Sequence, residues 1–151
     1  MALALDLIQK LLAEGSVLQL ATASGDQPWI CTVYYVVDED LNIYWLSYTS
    51  RRHSRELVKQ PNAAISVAIK LDKPVIGIQA EGSVEVVTDH TQVQNIMKRY
   101  VAKYDAGKDY YDNFIAGKNQ HQIYKFIPRQ YVLFDELHFP ENGRQEWQIQ
   151  S

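Results

Sequence analysis

Between Tyr44 and Leu57 the chain runs Tyr-Trp-Leu-Ser-Tyr-Thr-Ser-Arg-Arg-His-Ser-Arg-Glu-Leu. Residues that favour a strand lead through a cluster of hydroxyls into a basic segment, and Pro61 stops whatever follows. A strand delivering Ser47, Tyr48, Thr49 and Ser50 to the start of a short helix gathers hydroxyls and unpaired backbone N–H groups at one point. With cations beside them, these are the donors an anion site needs. Arg51, Arg52, His53 and Arg55 supply the charge. The same residues can equally form a solvated helix face, with Ser50 as its N-cap and Pro61 as its terminator.

The rest of the chain reads as strands interrupted by a few helices. Leu5, Ile8, Leu11 and Leu12 recur at helical spacing before Gly15, which would cap a short opening helix. Residues 17–23 and 29–37 read as a β-hairpin about the turn Ser24-Gly25-Asp26-Gln27, and residues 43–47 as a third strand. After Pro61, residues 64–70 and 75–88 read as two more strands. The period then changes: Val93, Ile96, Met97, Tyr100, Val101 and Tyr104 make one apolar stripe, with Thr88 or Asp89 as N-cap. That stripe suits core packing or a subunit contact. Residues 107–117 suit a short helix or lid-like loop. Residues 123–127 and 131–138 return to strand character on either side of Pro128, and Asn142-Gly143 suggests a tight turn into residues 145–149. The expected class is mostly β or α+β, with residues 1–151 forming one domain.

Composition narrows the function. The chain has 151 residues and a formal charge of −3, so a general grip on nucleic acid is not expected, whereas a small anionic ligand is. Cys31 is the sole cysteine, which excludes an internal disulfide and favours a reducing compartment. No apolar run approaches the length of a membrane span, and Met-Ala-Leu-Ala-Leu-Asp lacks the pattern of a secretory signal. A soluble cytoplasmic protein is the expectation. His53, His90, His121 and His138 show no metal-site spacing, so no metal is expected. Gly-x-Ser-x-Gly, Walker and dinucleotide fingerprints are missing too. Cys31, in an apolar strand, suits an inert core thiol better than a redox group.

Two ordered matches carry a family resemblance. Ser47, Arg51, Arg52, His53, Glu56, Leu57 and Pro61-Asn62 follow the order of a phosphate loop, and Ala80-Glu81-Gly82-Ser83-Val84 follows at a matching distance downstream. In this the chain resembles the pyridoxamine-phosphate-oxidase-like flavoproteins, whose fold is the FMN-binding split β-barrel. The resemblance implies a homodimer with two cofactor sites at the interface. It also implies FMN as cofactor, its phosphate held by Ser47, Ser50, Arg51, Arg52 and His53. The flavin ring would lie along Trp29, Ile30, Cys31 and Thr32, with Gln79 near it. Trp29 and Ile30 can equally be plain barrel core. An FMN phosphate carries about −1.5 to −2 charge near neutral pH, so several donors and cations must converge on it.

The chain departs from the family pattern in three places. His53 stands where a Lys is usual, which would make binding weaker and tighter at about pH 6 than at about pH 8 if a partly charged His53 touched the phosphate. Gly77 replaces a Gln that approaches the flavin. The C-terminal segment from Asn142 to Ser151 lacks the Arg-rich substrate motif of the true oxidases. The resemblance therefore implies an FMN-dependent oxidoreductase acting on a small substrate other than a B6 vitamer. A non-catalytic binding or sensing protein holding flavin, haem or another small anion is the alternative, and a barrel with no cofactor is a third.

Overall fold

A computed structural model describes residues 2–149; Met1, Gln150 and Ser151, included in the single-domain expectation, lie outside them. The elements are α1 (Ala2–Glu14), β1 (Val17–Ser24), β2 (Gln27–Tyr34), β3 (Val36–Val37), β4 (Ile43–Ser47) and α2 (Arg52–Lys59). They continue as β5 (Asn62–Lys70), β6 (Ile76–Val87), α3 (His90–Tyr104), α4 (Lys108–Ile115), β7 (Gln122–Asp135) and β8 (Arg144–Gln148). All strands join one antiparallel sheet in the order β2-β1-β5-β6-β7-β4-β3. The long β7 serves two further neighbours: its first half pairs with β4 and its second half with β8. The sheet curls until β2 touches β4, giving the expected split half-barrel with flanking helices.

The curl has a local cause. Opposite Gly82 the ladder slips by one residue, so that Glu81 faces Gln130 while Gly82 faces Pro128. A bulge of this kind bends and twists the strand pair. Proline lacks the N–H that an unbroken ladder requires, and the slip accommodates it. A side chain at position 82 would collide with the Ile127 carbonyl, so the Gly of the Glu-Gly pair is required by close backbone approach. Pro128 therefore bends one continuous β7, where the sequence suggested two strands.

Alternation along the strands fills the interior. Leu18 and Leu20 of β1, Ile65 and Val67 of β5, Ile78 and Ala80 of β6 and Tyr131 and Leu133 of β7 face inward. Ile8, Leu11 and Leu12 of α1 close one end. A second cluster joins Val36, Tyr44 and Ile123 on the other side of the sheet to Ile96 and Met97 of α3, so β4 is covered on both faces. The apolar stripe of α3 is thus mainly core, and Asp89 caps the helix by accepting from the Gln92 N–H at 3.0 Å. α4 is the short helix expected in residues 107–117.

Three further expectations are corrected. The strand expected over residues 29–37 breaks at Tyr35, because β2 pairs with β1 whereas β3 crosses to β4; four strands, not three, precede the basic helix. Tyr35 is fully buried at the break and donates to the Leu12 carbonyl at 2.5 Å. Gly15 does not adopt a left-handed cap; a methyl there would strike the Tyr35 hydroxyl, so packing demands the glycine. Asn142-Gly143 is not a two-residue hairpin turn but the end of a longer loop after Asp135, whose N–H donates to the Gly143 carbonyl at 2.8 Å.

Candidate functional site

β4 ends at Ser47, and the turn through Tyr48–Arg51 aims the chain into α2. Arg51 is the N-cap residue, extended at φ −66° and ψ 149°, and no side chain caps the helix. The expected Ser50 cap is corrected: Ser50 lies in the turn one residue before the N-cap, with its side chain in solvent. His53, Ser54, Glu56 and Leu57 form the buried face of α2.

The two arginines part company. The Arg52 guanidinium lies over the Trp29 indole, 4.1 Å from the ring centroid, and its Nε donates to Glu56 Oε2 at 3.1 Å. The other Glu56 oxygen accepts from the buried Thr22 hydroxyl at 2.7 Å. The Thr22 hydrogen bond, with Arg52 adding to it, holds the Glu56 carboxyl below its ordinary range against the opposing effect of burial. Glu56 therefore stays ionised, and it clamps Arg52 flat against Trp29. Arg51 turns elsewhere, over the Tyr48 ring at 5.3 Å, and Tyr48 stacks on His121 with centroids 4.0 Å apart. His121 Nδ1–H donates to Asn119 Oδ1 at 2.6 Å. Burial, and then the Arg51 charge, pull its pKa down.

Ser47 and His53 engage each other. Ser47 Oγ lies 2.7 Å from His53 Nε2, and the two residues are 6% and 8% exposed. Burial, followed by the Arg51 charge, lowers the His53 pKa, with Glu56 opposing. His53, expected to face a phosphate with a partial charge, lies buried against Ser47 with its Nε2 already engaged.

Alternation divides the residues expected along the flavin ring. Trp29 and Cys31 pair with Thr22 and Leu20 and share their inner face; Ile30 and Thr32 pair with Ala21 and Gln19 and point outward. Trp29 and Ile30 are 39% and 62% exposed, so neither is plain barrel core; β2 is an edge strand. Ile30 and Gln79 meet across a shallow cleft of about 330 Å³, with Ala21 and Ser66 between them. Burial raises the Cys31 thiol pKa to about 11, which keeps the unreactive protonated form.

Sequence reasoning left Thr22 and His121 out of the site and did not assign Glu56 a role in it. Glu56 is legible as the acid four residues after Arg52 on one helix. Thr22 carried a fainter sign, a hydroxyl at an inward position in line with Leu18 and Leu20. Nothing in the spacing ties His121 to Tyr48. Among the described residues no group of three or more His, Cys, Asp or Glu could hold a metal ion.

A profile described as pyridoxamine 5'-phosphate oxidase matches residues 4–132. The chain belongs to that family. No curated protein matches it. Solved structures agree on the family's fold. A conserved hypothetical protein of Mycobacterium tuberculosis superposes with a TM-score of 0.77 at 16% identity, over 91% of this chain and 88% of the other. A NimC/NimA family protein of Clostridium acetobutylicum gives 0.67 at 15% identity, over 95% and 92%. HutZ, the haem storage protein of Vibrio cholerae, gives 0.62 at 17% identity, over 86% and 92%.

Proposed function

We propose that the protein is an FMN-binding oxidoreductase whose chain binds, orients and shields the flavin. The observation that carries this reading is the Arg52 clamp. A guanidinium held on Trp29 by Glu56, which is itself held by Thr22, is already ordered before any ligand arrives. Little side-chain entropy is then lost on binding, and its remaining N–H groups suit a bidentate grip on phosphate. Ser50 and the free N–H groups at the start of α2 add donors.

The ring-binding side rests on β2. As an edge strand it leaves part of its row of N–H and C=O groups unpaired, and these can meet the polar edge of a planar heterocycle. Ile30 and Thr32 offer contact area beside that row, and Gln79 an amide across the cleft. When bound, the flavin supplies the hydride or electron transfer. The side chains named here bind and position it, and none is assigned as a catalytic acid or base.

A homodimer completes this reading. The outer sheet face carries Ala21, Ala64, Ser66, Ala68 and Gly77, a smooth surface next to the exposed Ile30. A second copy seated there would cover the open side of the cleft and exclude water from the ring.

The test is an FMN titration of two variants. Arg52→Ala should lose at least tenfold in affinity, and Arg51→Ala markedly less, because only Arg52 is clamped beside β2. Undiminished binding by Arg52→Ala would move the phosphate elsewhere. The second reading is a protein that holds flavin or haem without turnover, favoured by the likeness to a haem storage protein. Reduction of bound flavin by NADH or NADPH separates the two.

A further inference from the structure

Beyond Arg52 the cationic stripe continues. Arg52, Arg55 and Lys59 lie three and then four residues apart, so they share one side of α2. At 1.5 Å per residue they span about 10 Å. All three line a cleft of about 870 Å³ between α2 and the tip of the β1–β2 hairpin at Ala23, Ser24 and Gly25. Glu56 is the one acid in that lining, and its two oxygens are engaged by Arg52 and Thr22. Arg55 and Lys59 have no carboxylate partner among the described residues, and both are exposed. Val58, 82% exposed, adds an apolar contact to the same lining.

A single phosphate would leave most of this cleft unused. We infer that the cleft receives a diphosphate, with Arg52 at the phosphate nearest β2 and Arg55 and Lys59 on the next, and with Val58 beside the attached nucleoside. The inference rests on the flavin reading for its orientation and takes that site beyond FMN. A diphosphate can come from FAD bound as the cofactor, its flavin-side phosphate being the one on Arg52, or from a reduced nicotinamide dinucleotide bound as the donor, which would meet Arg55 and Lys59 while an FMN phosphate keeps Arg52. Both present the same group to the stripe. Two unneutralised cations lower the cost of bringing together the negative charges of adjacent phosphates, and the approach of one such ligand displaces several screening counterions at once.

The experiment compares the full-length protein with Arg55→Gln/Lys59→Gln, a double change at exposed positions outside the Arg52 clamp. FMN, FAD, NADPH, ADP and inorganic pyrophosphate are titrated at constant ionic strength, with sulfate as control. FAD or NADPH should bind the wild type at least tenfold more tightly than the variant, and ADP and pyrophosphate should lose affinity in parallel. FMN should change by less than twofold. Loss confined to FAD assigns the diphosphate to the cofactor; loss confined to NADPH assigns it to the donor. The inference is overturned if no diphosphate ligand distinguishes the two proteins, or if sulfate and FMN weaken as much as FAD. A protein that binds ADP through these residues but no flavin would retain the cleft and refute the flavin reading.

Discussion

Thr22 shows how one hydroxyl can govern a site that it does not touch. It donates to Glu56, Glu56 holds Arg52, and Arg52 lies on Trp29. Thr22→Val keeps the shape and leaves a nearly buried carboxylate oxygen short of its donor. Denaturant unfolding should show a loss of about 1–3 kcal/mol, and FMN affinity should fall with it because Arg52 is less well held. Lys103 makes a different residue-scale case. Its Nζ is buried without a hydrogen-bond partner, 4.3 Å from the Tyr35 ring centroid, and burial lowers its pKa from 10.5 to about 8. Between those values the unfolded chain binds more protons than the folded one, so stability rises with pH there. The penalty is felt in full below about pH 8 and fades above it. Lys103→Met should therefore raise Tm near pH 7, and that gain should shrink by about pH 10; a gain constant across the range would contradict a charged, desolvated amine. At this scale the sequence disclosed which residues were basic and not where they pointed. Arg51 and Arg52 are adjacent in the chain and diverge by one helical step, which composition does not reveal. His53 looked like a surface cation until Ser47, six residues away, became its partner.

At the scale of elements, capping and close approach explain what was legible. The stripe from Val93 to Tyr104 and the acid before it describe α3 almost completely, because helix periodicity and an Asp cap are local properties. Asp89→Ala should cost about 0.5–2 kcal/mol, read by thermal or denaturant unfolding. The break at Tyr35 and the continuity of β7 through Pro128 were not legible. Both depend on which strand lies alongside, a long-range fact that β-propensity does not contain. Gly82 lies between the two cases. Its place beside Glu81 was visible, but the reason is the Ile127 carbonyl across the bulge. Gly82→Ala should destabilise the fold by about 1–3 kcal/mol or more, since rigid backbone rather than a flexible side chain stands in the way. Unchanged stability would mean that the bulge can relax.

For the whole molecule, the sheet order turns a chain of ordinary hairpins into a half-barrel with the two-residue β3 at one edge and, beside the basic helix, an exposed strand at the other. β2 sits at that edge, α2 packs against β1 and β2, and the cationic turn is carried to the exposed strand. Fold class was readable because strand alternation is local, and because the Glu-Gly and hydroxyl-to-basic segments resemble those of the family whose fold this is. The division of labour among the site residues was not, because it arises only when β1, β2 and α2 meet. If the outer face joins two copies, Ala64→Glu should turn a dimer into a monomer in sedimentation and weaken flavin retention together. The most direct test of the central claim is the visible spectrum of the purified protein after incubation with FMN and gel filtration. Flavin absorbance should elute with the protein at near one equivalent per chain in the wild type and be lost in Arg52→Ala. Elution of protein free of flavin, or with a haem Soret band in its place, would contradict that claim.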